Sequence, residues 1–203
     1  IFSEQDILDF LQKREGLLDG VCVTGGEPLM QKGLPAFLEK VKAMGFAVKV
    51  DTNGSFPDRL KSIIDSGLCD YVAMDIKNSP ARYAQTCGGI DMLPQVKKSA
   101  ALLMRGTVEY EFRTTVCAPL HTPEDMEEIG RWLQGASRYF LQSFVDRDSV
   151  LRSGLTGCTP TQLERFLEIL RPFVPLVALR GEGGIVGLLY AAPRPVKAQR
   201  RGK

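Results

Sequence analysis

The chain has 203 residues, 44% of them hydrophobic and 25% charged, which is enough for one core and short for two domains. Its net charge of +2 gives no field strong enough to suggest nucleic acid or a membrane surface as a partner. The five cysteines are odd in number, widely spaced and never at C-x-x-C distance, so a reduced, cytoplasmic setting is expected rather than a disulfide framework.

Taken in chain order, hydrophobic periodicity alternates between helix and strand. Ser3 reads as an N-cap ahead of Ile7, Leu8, Phe10 and Leu11 at helical spacing. A strand over Gly20 to Thr24 follows, then a helix with Leu34, Phe37, Leu38 and Val41 on one face and Pro35 in its first turn. The pattern repeats with a strand at Ala47 to Asp51, a helix opened by Pro57 and stopped at Gly67, and a strand at Tyr71 to Ile76. It continues with a helix over Leu93 to Arg105, a strand over Glu109 to Val116, a helix from Pro123 to Trp132 and a strand at Tyr139 to Phe144. Thr161 to Arg171 is the last clear helix and Val174 to Leu179 a candidate final strand. His121, between Pro119 and Pro123, falls in a loop, and the lone histidine excludes a His-rich metal site.

Strands separated by helices of this length specify βαβ units and a parallel sheet in a single α/β domain over residues 1–190, with a basic, disordered tail at 191–203. A complete eight-fold barrel needs about 250 residues, so a partial barrel or open sheet is expected.

Ligands of parallel α/β proteins lie at the carboxyl ends of the strands. Here those ends read Thr24-Gly25-Gly26-Glu27, Asp51-Thr52-Asn53-Gly54, Asp75-Ile76-Lys77, Arg113-Thr114-Thr115 and Gln142-Ser143. Each has an ordinary reading. Gly-Gly marks turns, Asp and Asn bond their own backbone in turns, and Asp75 with Lys77 makes a simple ion pair. Five polar rims on successive strands argue for a shared site.

The segments VTGGEPLMQKGLPAFLEKVKAMGFAVKVDTNG, DYVAMDIK and EFRTTV, in this order, resemble the radical S-adenosylmethionine superfamily. Within it they are most similar to the activating proteins of anaerobic ribonucleoside-triphosphate reductase, among the glycyl-radical-enzyme activases. The resemblance covers about Ser3 to Phe144 and implies a partial (βα)6 TIM-like barrel that binds S-adenosylmethionine and a [4Fe–4S] cluster. It implies reductive cleavage of S-adenosylmethionine to a 5′-deoxyadenosyl radical, which takes a hydrogen atom from a glycine of the partner reductase. An electron donor such as flavodoxin or ferredoxin is a further implied partner.

The resemblance also assigns residues. Gly25, Gly26 and Glu27 hold the methionine amine, Lys77 and Arg113 its carboxylate, and Asn53 reaches the ribose, with Gln142 contributing from the fifth strand. Asp51, Thr52 and Asp75 stand where related activases hold a metal cation. The C-x-x-x-C-x-x-C loop that ligates the cluster in the family is absent from this sequence. With Ile1 in place of an initiator Met, the first strand and cluster loop are expected upstream, in a parent protein. The alternatives are another radical S-adenosylmethionine enzyme, such as 7-carboxy-7-deazaguanine synthase, or a remnant that binds a nucleotide or partner without redox chemistry.

Overall fold

The structure is a computed structural model that describes residues 2–145 and 154–181, and the backbone of 184–186. Six parallel strands run in sequence order: β1 (Gly20–Val23), β2 (Ala47–Thr52), β3 (Tyr71–Asp75), β4 (Glu109–Val116), β5 (Arg138–Ser143) and β6 (Leu176–Gly181). A short antiparallel β7 (Gly184–Val186) lies beyond β6. The alternating helices are α1 (Glu4–Gln12), α2 (Leu34–Ala43), α3 (Pro57–Asp65), the single turn α4 (Tyr83–Thr86), α5 (Leu93–Leu103), α6 (Pro123–Trp132) and α7 (Pro160–Leu170). Three-residue 3₁₀ turns at Pro28–Met30 and Pro80–Arg82 were not foreseen from the sequence; both begin at a proline, whose fixed φ suits the first position of such a turn.

The strand order decides the architecture. Every crossover steps to the adjacent strand in the same direction, and right-handed βαβ connections then put all the helices on one face. A doubly wound sheet would reverse direction at a switch point, and none occurs among the described strands. The result is a singly wound parallel α/β sheet, consistent with a partial TIM-like barrel.

Strand periodicity divides each strand between two environments. Val48, Val50, Val72, Met74, Phe112, Tyr139 and Leu141 point toward the helices and are essentially inaccessible. They form one apolar core with Leu38 and Val41 of α2, Leu60 and Ile63 of α3, Leu103 of α5, Ile129 of α6 and Leu170 of α7. The register pairs Asp51 with Ala73, Asp75 with Arg113, Arg113 with Phe140 and Phe140 with Ala178, which places these residues together on the opposite face. That face carries the candidate site.

Helix starts follow the sequence signals. Ser3, Thr122 and Thr159 each close a capping box with the residue three places on. The expected tail at 191–203 lies outside the described residues, as does the end of the expected core at 187–190.

Candidate functional site

The first loop of the site follows β1. Gly25 has φ +115°, a conformation that side chains with a Cβ rarely adopt. Gly26 differs. Its φ is unexceptional, and a Cβ built on it meets nothing within 4 Å. Among the described residues no contact requires glycine there, so the bare backbone opens onto space that a ligand can occupy.

Glu27 caps the 3₁₀ turn that follows. Its Oε1 accepts from Leu29 N at 3.1 Å and from the Thr52 hydroxyl at 2.9 Å, and its Oε2 accepts from Asn53 N at 2.7 Å. The carboxylate therefore staples the β1 rim to the β2 rim. Two carboxylate oxygens offer about four acceptor positions, and these three bonds leave about one of them open. Asn53 forms an Asx turn, its Oδ1 accepting from Ser55 N at 2.9 Å.

The charged centre lies at the ends of β2, β3 and β4. Arg113, its side chain 14% exposed, donates from NH1 to Asp51 Oδ2 at 2.9 Å. Its Nε and NH2 reach Asp75 Oδ1 at 3.0 and 2.9 Å. Lys49 lies 2.8 Å from Asp51 Oδ1, and Lys77 2.9 Å from Asp75 Oδ2. Burial pushes the Asp51 carboxyl up, but the hydrogen bonds from Lys49 and Arg113 outweigh it and hold the group below its usual 3.8. Burial works against the Arg113 charge, and the two aspartates outweigh it, so the guanidinium stays firmly protonated.

Three of the expected residues, Asp51, Asp75 and Arg113, are thus in direct contact, with Lys77 attached through Asp75. Thr52 is not with them. Strand alternation turns its side chain away from Asp51, toward Glu27, where its hydroxyl also accepts from Gly54 N at 3.1 Å. The expected three-oxygen metal set of Asp51, Thr52 and Asp75 side chains does not converge, and no cluster of three His, Cys, Asp or Glu suited to a metal occurs among the described residues. Gln142 shares the face of Arg113, opposite Thr115 and Arg180 in register. No hydrogen bond joins it to the charged centre among the described residues.

Sequence reasoning missed Lys49 and a second polar layer. Glu111, its side chain 4% exposed, takes a bidentate pair from Arg180 at 2.7 and 2.9 Å and the Tyr71 hydroxyl at 2.8 Å. Burial first, and then the Glu111 charge, raises the Tyr71 phenol, so it stays protonated and donates. The signal was present as period-two spacing, Lys49 with Asp51 and Glu109, Glu111 with Arg113. His121, expected in a loop, is buried there. Its Nδ1 accepts from Cys117 N at 3.1 Å, which leaves Nε2–H to donate to the Lys77 carbonyl at 3.0 Å and fix the backbone of that lysine.

The five cysteines stand on separate elements and form no cluster-ligand set. Cys22 lies on β1, Cys69 before β3, Cys87 after α4, Cys117 after β4 and Cys158 before α7. All five thiols are pushed up by burial, Cys69 to about 11.

Residues 3–133 match the Radical SAM superfamily. The chain belongs to that superfamily. It is 31% identical over 147 residues to a protein of Methanocaldococcus jannaschii provisionally assigned as a glycyl-radical enzyme activating enzyme, covering 70% of this chain and 59% of that protein. It is 30% identical over 108 residues to the 7-carboxy-7-deazaguanine synthase of Thermococcus kodakarensis, covering 53% of this chain and 42% of that one. The chain therefore spans about half the length of these relatives. Among solved structures, a domain of pyruvate-formate lyase-activating enzyme from Bacteroides vulgatus superposes with a TM-score of 0.64 at 14% identity, covering 78% of this chain and 99% of that domain. Streptococcus suis SuiB bound to S-adenosylmethionine superposes with a TM-score of 0.69 at 12% identity, covering 89% of this chain and 44% of that one. At such identities these two likenesses concern the radical SAM fold. Among the described residues, no helix is long and apolar enough to cross a membrane.

Proposed function

We propose that this chain forms the S-adenosylmethionine-holding wall of a glycyl-radical-enzyme activase, serving an anaerobic ribonucleoside-triphosphate reductase. The observation that carries the reading is the convergence of the β1, β2, β3 and β4 rims. The bare backbone of Gly26, the stapled Glu27 and Asn53, and the Asp51–Arg113–Asp75–Lys77 chain all gather at one end of one sheet. Bound S-adenosylmethionine supplies the radical precursor in this chemistry, and the residues' own task is to fix its methionine end.

An α-amino acid needs acceptors for its ammonium and donors for its carboxylate, a few ångströms apart. The Gly25 and Gly26 carbonyls supply the acceptors. The two aspartates are already matched by cations, and the excess positive charge of Lys49, Lys77 and Arg113 is the complement of one carboxylate. Asn53, its carbonyl used in the turn, keeps an NH₂ for the ribose hydroxyls. Holding both ends in one pose makes bond cleavage effectively intramolecular. The [4Fe–4S] cluster is assigned to thiols other than the five in this sequence, and an electron donor such as flavodoxin or ferredoxin completes the set of partners.

The test is Lys77→Ala in the cluster-loaded protein. Cofactor cleavage should slow by about 10-fold or more, the order expected when one charge-assisted hydrogen bond is lost, with the fold retained. Unchanged cleavage kinetics would remove Lys77 from the site. Similarity to 7-carboxy-7-deazaguanine synthases supports a second reading, a small-molecule radical enzyme. A glycyl radical on a reductase polypeptide, seen by electron paramagnetic resonance after incubation with the activated protein, supports the first reading; product formation from a deazaguanine precursor with no protein radical supports the second.

A further inference from the structure

Asp51 and Asp75 present four carboxylate oxygens at the charged rim, and every one faces a cation of the protein itself. Asp51 Oδ1 lies 2.8 Å from Lys49 and Oδ2 2.9 Å from Arg113. Asp75 Oδ1 meets Arg113 Nε and NH2 at 3.0 and 2.9 Å, and Oδ2 meets Lys77 at 2.9 Å. The hydroxyl that would add a neutral ligand, that of Thr52, points the other way, into the Glu27 staple. This arrangement departs from the metal cation implied by resemblance to related activases.

We propose that Arg113 is the site's own cation, its guanidinium filling the place between Asp51 and Asp75 that a metal ion would otherwise take. Two carboxylates on neighbouring strand ends repel one another unless positive charge lies between them. A planar guanidinium spans the gap with donors on two edges, which a spherical ion achieves only by recruiting further oxygens. Arg113 is also positioned from below. Its strand is locked in register between β3 and β5, and its side chain is largely enclosed. Counting charges, three cations against two carboxylates leave one positive charge. A metal ion added to that set would sit beside a guanidinium and raise the repulsion, whereas the carboxylate of an amino acid would neutralise it. Arg113 thereby sets the specificity of the rim for an organic anion over an inorganic cation.

The functional consequence rests on the cofactor seat proposed above, but the charge arrangement is tested without cofactor. The thermal midpoint of the purified protein is measured in potassium, sodium, magnesium and choline chlorides at matched ionic strength. The wild type should show the same midpoint in all four, within about 1 °C. Arg113→Gln should be less stable in choline and should recover by about 5 °C, saturably, in potassium or sodium, as expected for a site that binds an ion only when folded. A saturable metal-specific stabilisation of the wild type that Asp75→Asn abolishes would overturn the proposal. So would a folded Arg113→Gln protein indifferent to the cation. If Arg113→Gln folds only in metal salt, that supports the proposal; if it folds in neither, the wild-type series decides alone. Failure of the cofactor reading would show as unaltered S-adenosylmethionine cleavage in Lys77→Ala, a separate readout.

Discussion

The two faces of one sheet, built from alternate residues of the same strands, obey different rules. Toward the helices, Val50, Val72, Met74 and Phe112 are inaccessible and hold the fold by apolar burial. Toward the other side, Asp51, Arg113 and Asp75 stand one residue away along the same strands and hold one another by charge. Parallel sheets ordinarily bury both faces and read as continuous apolar runs. Here the second face sets buried Ala73, Phe140 and Ala178 among two polar tiers, the Glu111–Arg180–Tyr71 layer and the Asp51–Arg113–Asp75 rim. The contrast separates residues that make the sheet from residues that use it.

Breaking the apolar face should cost most. Phe112→Ala removes a fully buried ring from the core and should lower the unfolding free energy by about 3–5 kcal/mol in urea denaturation. A loss under 1 kcal/mol would mean that the helix-facing side does not carry the stability. Next comes the lower polar tier. Glu111→Ala strips Arg180 and Tyr71 of their shared acceptor, and should cost about 2 kcal/mol, less than a fully enclosed pair because Arg180 is partly exposed. Replacing Glu111 and Arg180 together by Met should recover much of that loss; a double variant as unstable as the sum of its singles would show that the two residues are not coupled.

The smallest effect concerns pH at the rim. Asp51 is held below 3.8 in the folded protein. The stability it contributes is therefore full above that unfolded value and is lost as pH falls through the lower folded one. In Arg113→Gln one of its two cationic partners is gone, the folded value moves up, and the acid limb of the stability profile between about pH 4 and 2 should flatten. Identical acid limbs in the two proteins would mean that Arg113 does not govern the Asp51 charge.

Much of this was legible in the residues. The alternation of strand and helix, the proline- and hydroxyl-capped helix starts and the five polar strand ends are local features, and local spacing specifies them. The rim positions Asp51, Asp75 and Arg113 could be named because a parallel sheet presents strand ends together. Lys49, Glu111 and Arg180 were not named, because they lie within strands or past the expected strand end, where a charged residue usually signals solvent and not a partner two strands away. The Glu27 staple was hidden for a similar reason: a backbone N–H carries no mark in a sequence, and only the close approach of the β1 and β2 loops supplies Leu29 N and Asn53 N as donors.

The sequence alone determined which residues are apolar at period two and where chain direction changes, because burial and turn chemistry act over a few residues; the winding of the sheet was decided by strand order in three dimensions. Pairings across strands were decided only in three dimensions. Whether Asp51 and Asp75 face a metal, a lysine or an arginine depends on strand register and on which side of the pleat each residue emerges. The register set Arg113 opposite Asp75 and within reach of Asp51, and the same alternation turned Thr52 to the other side.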